Sequence, residues 1–249
     1  GVRGAHAMLL DTHWPADLLV EETARNLERY EVILAPDLLH LPEALAEALR
    51  AYVRGGGTLI VEGRTGLAEA DGTPRADFAL ADLTGTHLDG VAGLKVRYLD
   101  GLAPELARGL PAMPLLVQGA TDFPNVRAEA DCRILSVFTD PEYQGEGRRH
   151  VYHQFGHPAV ATTRPAITWR EVGKGRALHL VGPVSRSYQL HGQLWLRGLL
   201  DNLLAAAVPR PFLRVAAPPS VRVTARRKGS QIQIHLVHWQ LEPRMEGLA

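Results

Sequence analysis

One cysteine, Cys132, stands in a chain of 249 residues, which excludes an internal disulfide and every multi-cysteine metal site. Scarcity of cysteine fits a reducing compartment, so a cytoplasmic location is expected. Charge of neither sign is in excess. Lys and Arg number 27 and Asp and Glu 27, a formal net charge of zero, and the electrostatic footprint of a nucleic-acid binder is missing. The run Arg226-Arg227-Lys228 falls at a predicted hairpin turn and reads as a solvated tip. No apolar run approaches the ~18 residues that a membrane span requires. An initiating Met, a signal peptide, an internal repeat and a low-complexity tract are all absent. The first residues read as a helix, with Ala5, Met8 and Leu9 on one face and Trp14-Pro15 as its stop. Open parallel folds begin with a strand, so a strand and a further domain are expected upstream of Gly1.

What is present is a complete βαβ pattern from Tyr30 to Gly66, YEVILAPDLLHLPEALAEALRAYVRGGGTLIVEGRTG. Val32 to Ala35 is a short continuous apolar run, the mark of a strand buried on both faces of a parallel sheet. Pro42 and Glu43 suit a first helical turn, and Leu45, Ala48, Leu49, Tyr52 and Val53 make the stripe of an amphipathic helix. Gly55-Gly56-Gly57 stops that helix, and Thr58 to Val61 starts a second buried strand at once. With 46% hydrophobic residues the chain can bury a sizeable core.

Around this unit the pattern is less regular. Asp17 to Val20 is a short strand candidate, residues 66–93 read as a loop-rich excursion with one short helix at Phe78 to Leu83, and strands are expected at Leu94–Leu99, Pro114–Ala120 and Cys132–Phe138. Residues 141–158 carry no core-facing period and read as an exposed loop. Ala166–Glu171 and Arg176–Val181 flank a Gly-Lys-Gly turn as an antiparallel hairpin, and a helix follows whose stripe runs from Leu196 to Ala207. After Pro209 and Pro211, and the Pro218-Pro219 linker, residues 220–225 and 231–237 alternate polar and apolar as a separate hairpin. The domain division expected is an α/β domain over 1–211 and a small antiparallel β module, or its beginning, over 212–249.

The motifs Tyr52-Val53, Gly56 to Val61, Gly63 to Gly66, Gly173-Lys174-Gly175-Arg176, the leucine-rich helix and the stretch from Ala217 to Arg227 occur in a telling order. In that order and spacing the chain resembles the trimerisation domain of family 42 β-galactosidases and related multidomain glycoside hydrolases, over roughly residues 1–240. The resemblance implies a flavodoxin-like, class I glutamine amidotransferase-like α/β fold: a mostly parallel sheet flanked by helices, with a small C-terminal antiparallel β module. It also implies a homo-oligomer and a catalytic (β/α)₈ barrel upstream.

Class I amidotransferases need a cysteine on the turn after a central strand, with a histidine behind it. The matching turn here is Glu62-Gly63-Arg64-Thr65-Gly66 without a cysteine, and Gly182 to Arg186 supplies no histidine. Cys132 reads as an inert thiol, in a hydrophobic strand without a basic neighbour. There is no GxSxG and no P-loop, and no carboxylate pair suited to glycoside hydrolysis; Asp11, Asp37 and Glu62 read as caps or loop residues. No catalytic residue and no cofactor is expected. His150, His153 and His157 are close in sequence but fit no familiar zinc spacing, so they are weak metal candidates.

Ligands and partners of open α/β sheets meet the carboxyl ends of the strands. The rim and interface candidates are therefore Asp37, His40, Arg64, Thr65, Ser185, Arg186 and Tyr188, with His13 and Trp14 on another edge. The reading is a non-catalytic assembly domain that also walls the active-site cleft of a β-galactosidase-like enzyme, with carbohydrate as a possible contact and neither nucleic acid nor membrane as partner. The rivals are a free-standing carbohydrate or small-molecule binding protein with a degenerate amidotransferase site, and a hydrolase with a metal on the loop histidines.

Overall fold

A computed structural model describes residues 1–20, 24–143 and 156–238. Helix α1 (Val2–Asp11) precedes the expected βαβ unit, which consists of β1 (Val32–Pro36), α2 (Glu43–Arg54) and β2 (Thr58–Glu62), with β1 and β2 parallel. Then come α3 (Ala81–Thr84), β3 (Thr86–Val91), β4 (Val96–Asp100), α4 (Pro104–Ala107), β5 (Leu115–Gln118), β6 (Pro124–Ala128) and β7 (Arg133–Pro141). The chain continues through β8 (Pro158–Val172), β9 (Gly175–Leu180), α5 (Val184–His191), α6 (Leu194–Ala207), β10 (Val221–Lys228) and β11 (Gln231–His238).

The main sheet has the order β1-β2-β9-β8-β7-β4-β5. β1, β2 and β9 pair in parallel and the remaining pairs are antiparallel, so five of the seven strands, all but β8 and β4, point the same way. β2 is buried at every residue because it is covered on both faces. On one side Ile60, Leu178 and Leu180 meet Met8 of α1 and Leu196, Leu199, Leu200 and Leu203 of α6. On the other, Leu59, Val61 and Ala177 meet Leu49 and Val53 of α2 together with Leu80 and Leu83. Each such Leu, Ile, Val or Met side chain stabilises the fold by about 1.5–3 kcal/mol on burial.

The glycines of the two sequence motifs meet in space. A Cβ on Gly175 would lie 2.1 Å from the Val53 carbonyl oxygen and 2.4 Å from that of Gly57, and one on Gly57 would strike the Tyr52 ring at 2.2 Å. Tyr52 seals this junction, its hydroxyl 3.0 Å from the Tyr30 carbonyl and 3.2 Å from that of Thr58.

Several expectations need correction. Asp17 to Val20 is not a strand: no strand is formed there, and Leu18 and Val20 are exposed. Residues 66–93 are more ordered than a loop, because β3 lies there and pairs with β6 in a separate two-stranded ribbon. Its sequence, THLDGV, lacks an apolar alternation since its second half, Asp89 to Val91, is solvated. β8 starts at Pro158, well before Ala166, and pairs with β7 through several register shifts. The leucine stripe from Leu196 to Ala207 lies on α6 as expected, and a separate helix not foreseen, α5, precedes it and ends at Gly192 in the left-handed conformation.

Candidate functional site

The carboxyl ends of β1, β2 and β9 meet at the Gly63–Gly66 turn. β1 runs into Asp37, a non-glycine residue at φ 53°. Its Oδ1 accepts the Arg64 backbone N–H at 2.9 Å and lies 3.6 Å from Arg64 Nε. Gly63 also has a positive φ, and a Cβ there would stand 2.5 Å from that Asp37 oxygen, so only glycine fits. Thr65 is buried: its hydroxyl lies 2.7 Å from the Glu62 carbonyl and 3.0 Å from that of Ala35, and it accepts the Leu38 N–H at 3.1 Å. The hydrogen-bonding capacity of the Thr65 side chain is thus spent inside the turn.

Below the turn sits Glu62, 1% exposed, which accepts both the Ser185 backbone N–H at 2.7 Å and its hydroxyl at 2.6 Å. Burial pushes the Glu62 carboxyl up to about 7, against the pull of the two Ser185 hydrogen bonds and with added repulsion from Asp37. The reading of Glu62 as a cap or loop residue is corrected: it is a core carboxyl that ties β2 to the first turn of α5. His179 of β9 braces the turn from behind. Its Nε2–H donates to the Gly63 carbonyl at 3.1 Å, which leaves Nδ1 to accept from the Thr86 hydroxyl at 2.8 Å. Burial pulls His179 down to about 4, so it stays neutral. Thr65, Glu62, Ser185 and His179 are thus all hydrogen-bonded within the protein.

The remaining candidates divide. His40, exposed, donates from Nδ1 to the Glu69 carbonyl at 3.1 Å. Arg186 is half-buried, and its Nε has no partner among the described residues. Tyr188, His13 and Trp14 gather elsewhere, at the end of α1. The Tyr188 hydroxyl donates to Asp11 Oδ2 at 2.5 Å and Arg222 reaches Asp11 Oδ1 at 3.1 Å. His13 Nε2–H lies 3.0 Å from the Val221 carbonyl and 3.3 Å from that of Pro218. Trp14 donates to Asp201 at 2.7 Å while Arg214 covers its ring and pairs with the same carboxylate at 2.9 Å. Asp11 is thereby corrected from a cap to a buried anchor, and this hub ties α1, α5, α6 and β10 together.

Cys132 is half-buried, and its thiol is pushed up by burial. Arg170 does lie beside it, contrary to expectation, but too weakly to offset that burial. His157 is exposed, 3.6 Å from Glu142, whereas His150 and His153 fall outside the described residues. No cluster of three or more metal-ligating side chains occurs among the described residues, and none of their helices is long and apolar enough to cross a membrane.

Residues 2–205 match the model of the β-galactosidase trimerisation domain. The chain belongs to this family. Among solved structures it is similar to α-L-fucosidase isoenzyme 2 from Paenibacillus thiaminolyticus, with a TM-score of 0.79 and 19% identity over 98% of this chain and 35% of that one. A β-galactosidase from Rahnella sp. R3 gives 0.70 and 17%, over 96% and 31%. One from Bacillus circulans sp. alkalophilus gives 0.65 and 16%, over 95% and 31%. At such identities the likeness is one of fold, and the chain spans about a third of the length of these proteins. No curated protein matches it. As a trimerisation domain it has the mixed α/β architecture that the motif order implied: helices over both faces of a largely co-directional sheet, then a small antiparallel pair.

The residues that sequence reasoning passed over are His179, Asp201 and Arg222. His179 left one faint signal, a polar residue inside the otherwise apolar run Ala177 to Val181. Asp201 and Arg222 left none, since a charge on a helix or a hairpin normally points to water.

Proposed function

We propose that this chain is the non-catalytic assembly domain of a cytoplasmic β-galactosidase-type glycoside hydrolase, holding three subunits together and walling one side of a cleft in an upstream (β/α)₈ barrel. The observation that carries the reading is the closed turn at Arg64-Thr65. Thr65, Glu62 and Ser185 direct every strong donor and acceptor inward, at the place where an amidotransferase keeps its nucleophile open. Of the nine rim candidates, Asp37, His40, Arg64 and Arg186 retain exposure near the strand ends. They are assigned to the contact with the barrel or a neighbouring subunit, with a sugar as a further contact. Thr65 and Ser185 shape that rim from beneath, and Tyr188, His13 and Trp14 hold the module over 212–249 against the domain over 1–211.

The test uses the isolated chain and the complete enzyme. The isolated chain should hydrolyse no galactoside, while Arg64→Glu in the complete enzyme should shift the oligomer towards monomers in sedimentation. Turnover by the chain alone, or a complete enzyme that is monomeric without any substitution, overturns the reading.

A further inference from the structure

On the flank of the main sheet, the β3–β6 ribbon forms one wall of a cleft of about 620 Å³, with Ile134 of β7 and Arg164 of β8 on the other side. Arg164 reaches across to Asp89 of the ribbon at 3.1 Å. Near the Thr86 end of the ribbon His87 lies between two carboxylates. Its Nδ1 is 2.6 Å from Asp77 Oδ2 and its Nε2 is 2.9 Å from Glu129 Oε1. Ionised carboxylates only accept hydrogen bonds, so making both bonds at once requires an N–H on each ring nitrogen. Only the imidazolium has that.

The two carboxylates are anchored unequally. Asp77 Oδ1 accepts the backbone N–H of Phe78 and of Leu88, both at 2.8 Å. Glu129 has one other tie, from Arg170 at 2.6 Å, and Arg170 divides its charge with Asp131 at 3.0 Å. Arg127 stands opposite His87 across the ribbon and opposes its positive charge. Asp89, two residues along β3, is engaged by Arg164.

We propose that His87 is a proton-operated clasp: charged, it ties β3 to Glu129 at the end of β6 as well as to Asp77, and neutral, it releases Glu129 and loosens the pairing of the two ribbon strands beside the cleft. A neutral ring has one N–H to give, and the backbone-anchored Asp77 retains it. Glu129 then faces a bare lone pair and is left to Arg170. In keeping with this geometry the hydrogen bonds that His87 donates to Glu129 and then to Asp77 hold it above the ordinary histidine value, against desolvation and Arg127. A group raised in this direction contributes fully below about pH 6.5, and its contribution is lost as pH rises through the folded-state value.

Hydrogen exchange of the full chain, expressed as protection factors at residues 86–91 and 124–128 from pH 5.5 to 8.5, tests the clasp. Protection should fall up to about ten-fold with rising pH, the ratio that one pKa unit of coupling imposes. In His87→Gln it should be low and flat. Ring resonances of His87 in the unsubstituted chain provide a second measurement that needs no variant, and should titrate above 6.5. Ring titration at or below 6.5, or ribbon protection in the unsubstituted chain that does not change with pH, overturns the proposal; a flat profile in His87→Gln alongside a sloping one in the parent supports it.

Discussion

Glu62 and His87 both hold a proton more firmly than they would in free solution, and for opposite reasons. Glu62 is sealed beneath the Gly63–Gly66 turn with hydrogen-bond donors from Ser185, so its protonated form is the neutral one and burial favours it. His87 is partly solvated between two carboxylates, so its protonated form is the charged one and its neighbours favour it. The first region is built from apolar packing and fitted glycines, the second from ion pairs. They should therefore differ in tolerance to substitution and to salt, although rising pH weakens both.

The largest expected effect is on Glu62. Its folded value of about 7 exceeds the ordinary carboxyl value of 4.5, so the native state binds more protons and stability falls as pH rises through that interval. The loss across it should be roughly 3 kcal/mol at the upper limit, and Glu62→Gln should abolish that slope. Urea unfolding between pH 4.5 and 8 checks it, and equal slopes in variant and parent would refute the assignment. Next comes Gly175→Ala, which forces a methyl group against two backbone carbonyls and should cost about 2–3 kcal/mol. A cost no larger than that of a surface substitution, about 0.5 kcal/mol, would show that the helix–hairpin junction yields easily.

Smaller is the salt response. In 1 M NaCl the His87-dependent part of the pH slope, at most about 1 kcal/mol for a solvated clasp, should vanish while the Glu62 part persists. Comparing His87→Gln with the parent at both ionic strengths separates them, and equal screening of the two parts would erase the distinction. The smallest effect belongs to Arg164→Ala, which removes an exposed pair with Asp89. About 0.5 kcal/mol or less is expected in thermal melts.

The legible parts of the molecule were those with dense, periodic burial. The βαβ unit, the β8–β9 turn and the stripe on α6 follow from apolar spacing and glycine placement, and the structure has them nearly where expected. The β3–β6 ribbon escaped notice because its buried residues, Thr86 and Pro124 to Val126, form no apolar alternation and the rest of β3 is solvated. Helix α5 was hidden because the leucine stripe of α6 dominates its surroundings. Among the site residues, Asp37, Arg64, Thr65 and Ser185 do converge at the strand ends, as strand polarity implies. Tyr188, His13 and Trp14 meet at a different place, since α1 crosses α5 so closely that a Cβ on Gly4 would lie 1.8 Å from the Ser185 carbonyl oxygen.

Local composition alone settled which segments had to be buried and that the turn after β2 carries no cysteine or serine nucleophile. Those are properties of single residues and short spacings, readable without knowing what lies across the sheet. Whether Glu62, Asp11 and His87 were surface charges or the centres of bonded networks depended on partners 123, 177 and 42 positions away. A carboxyl or an imidazole takes its protonation from what surrounds it, and those surroundings come into being only when distant segments pack.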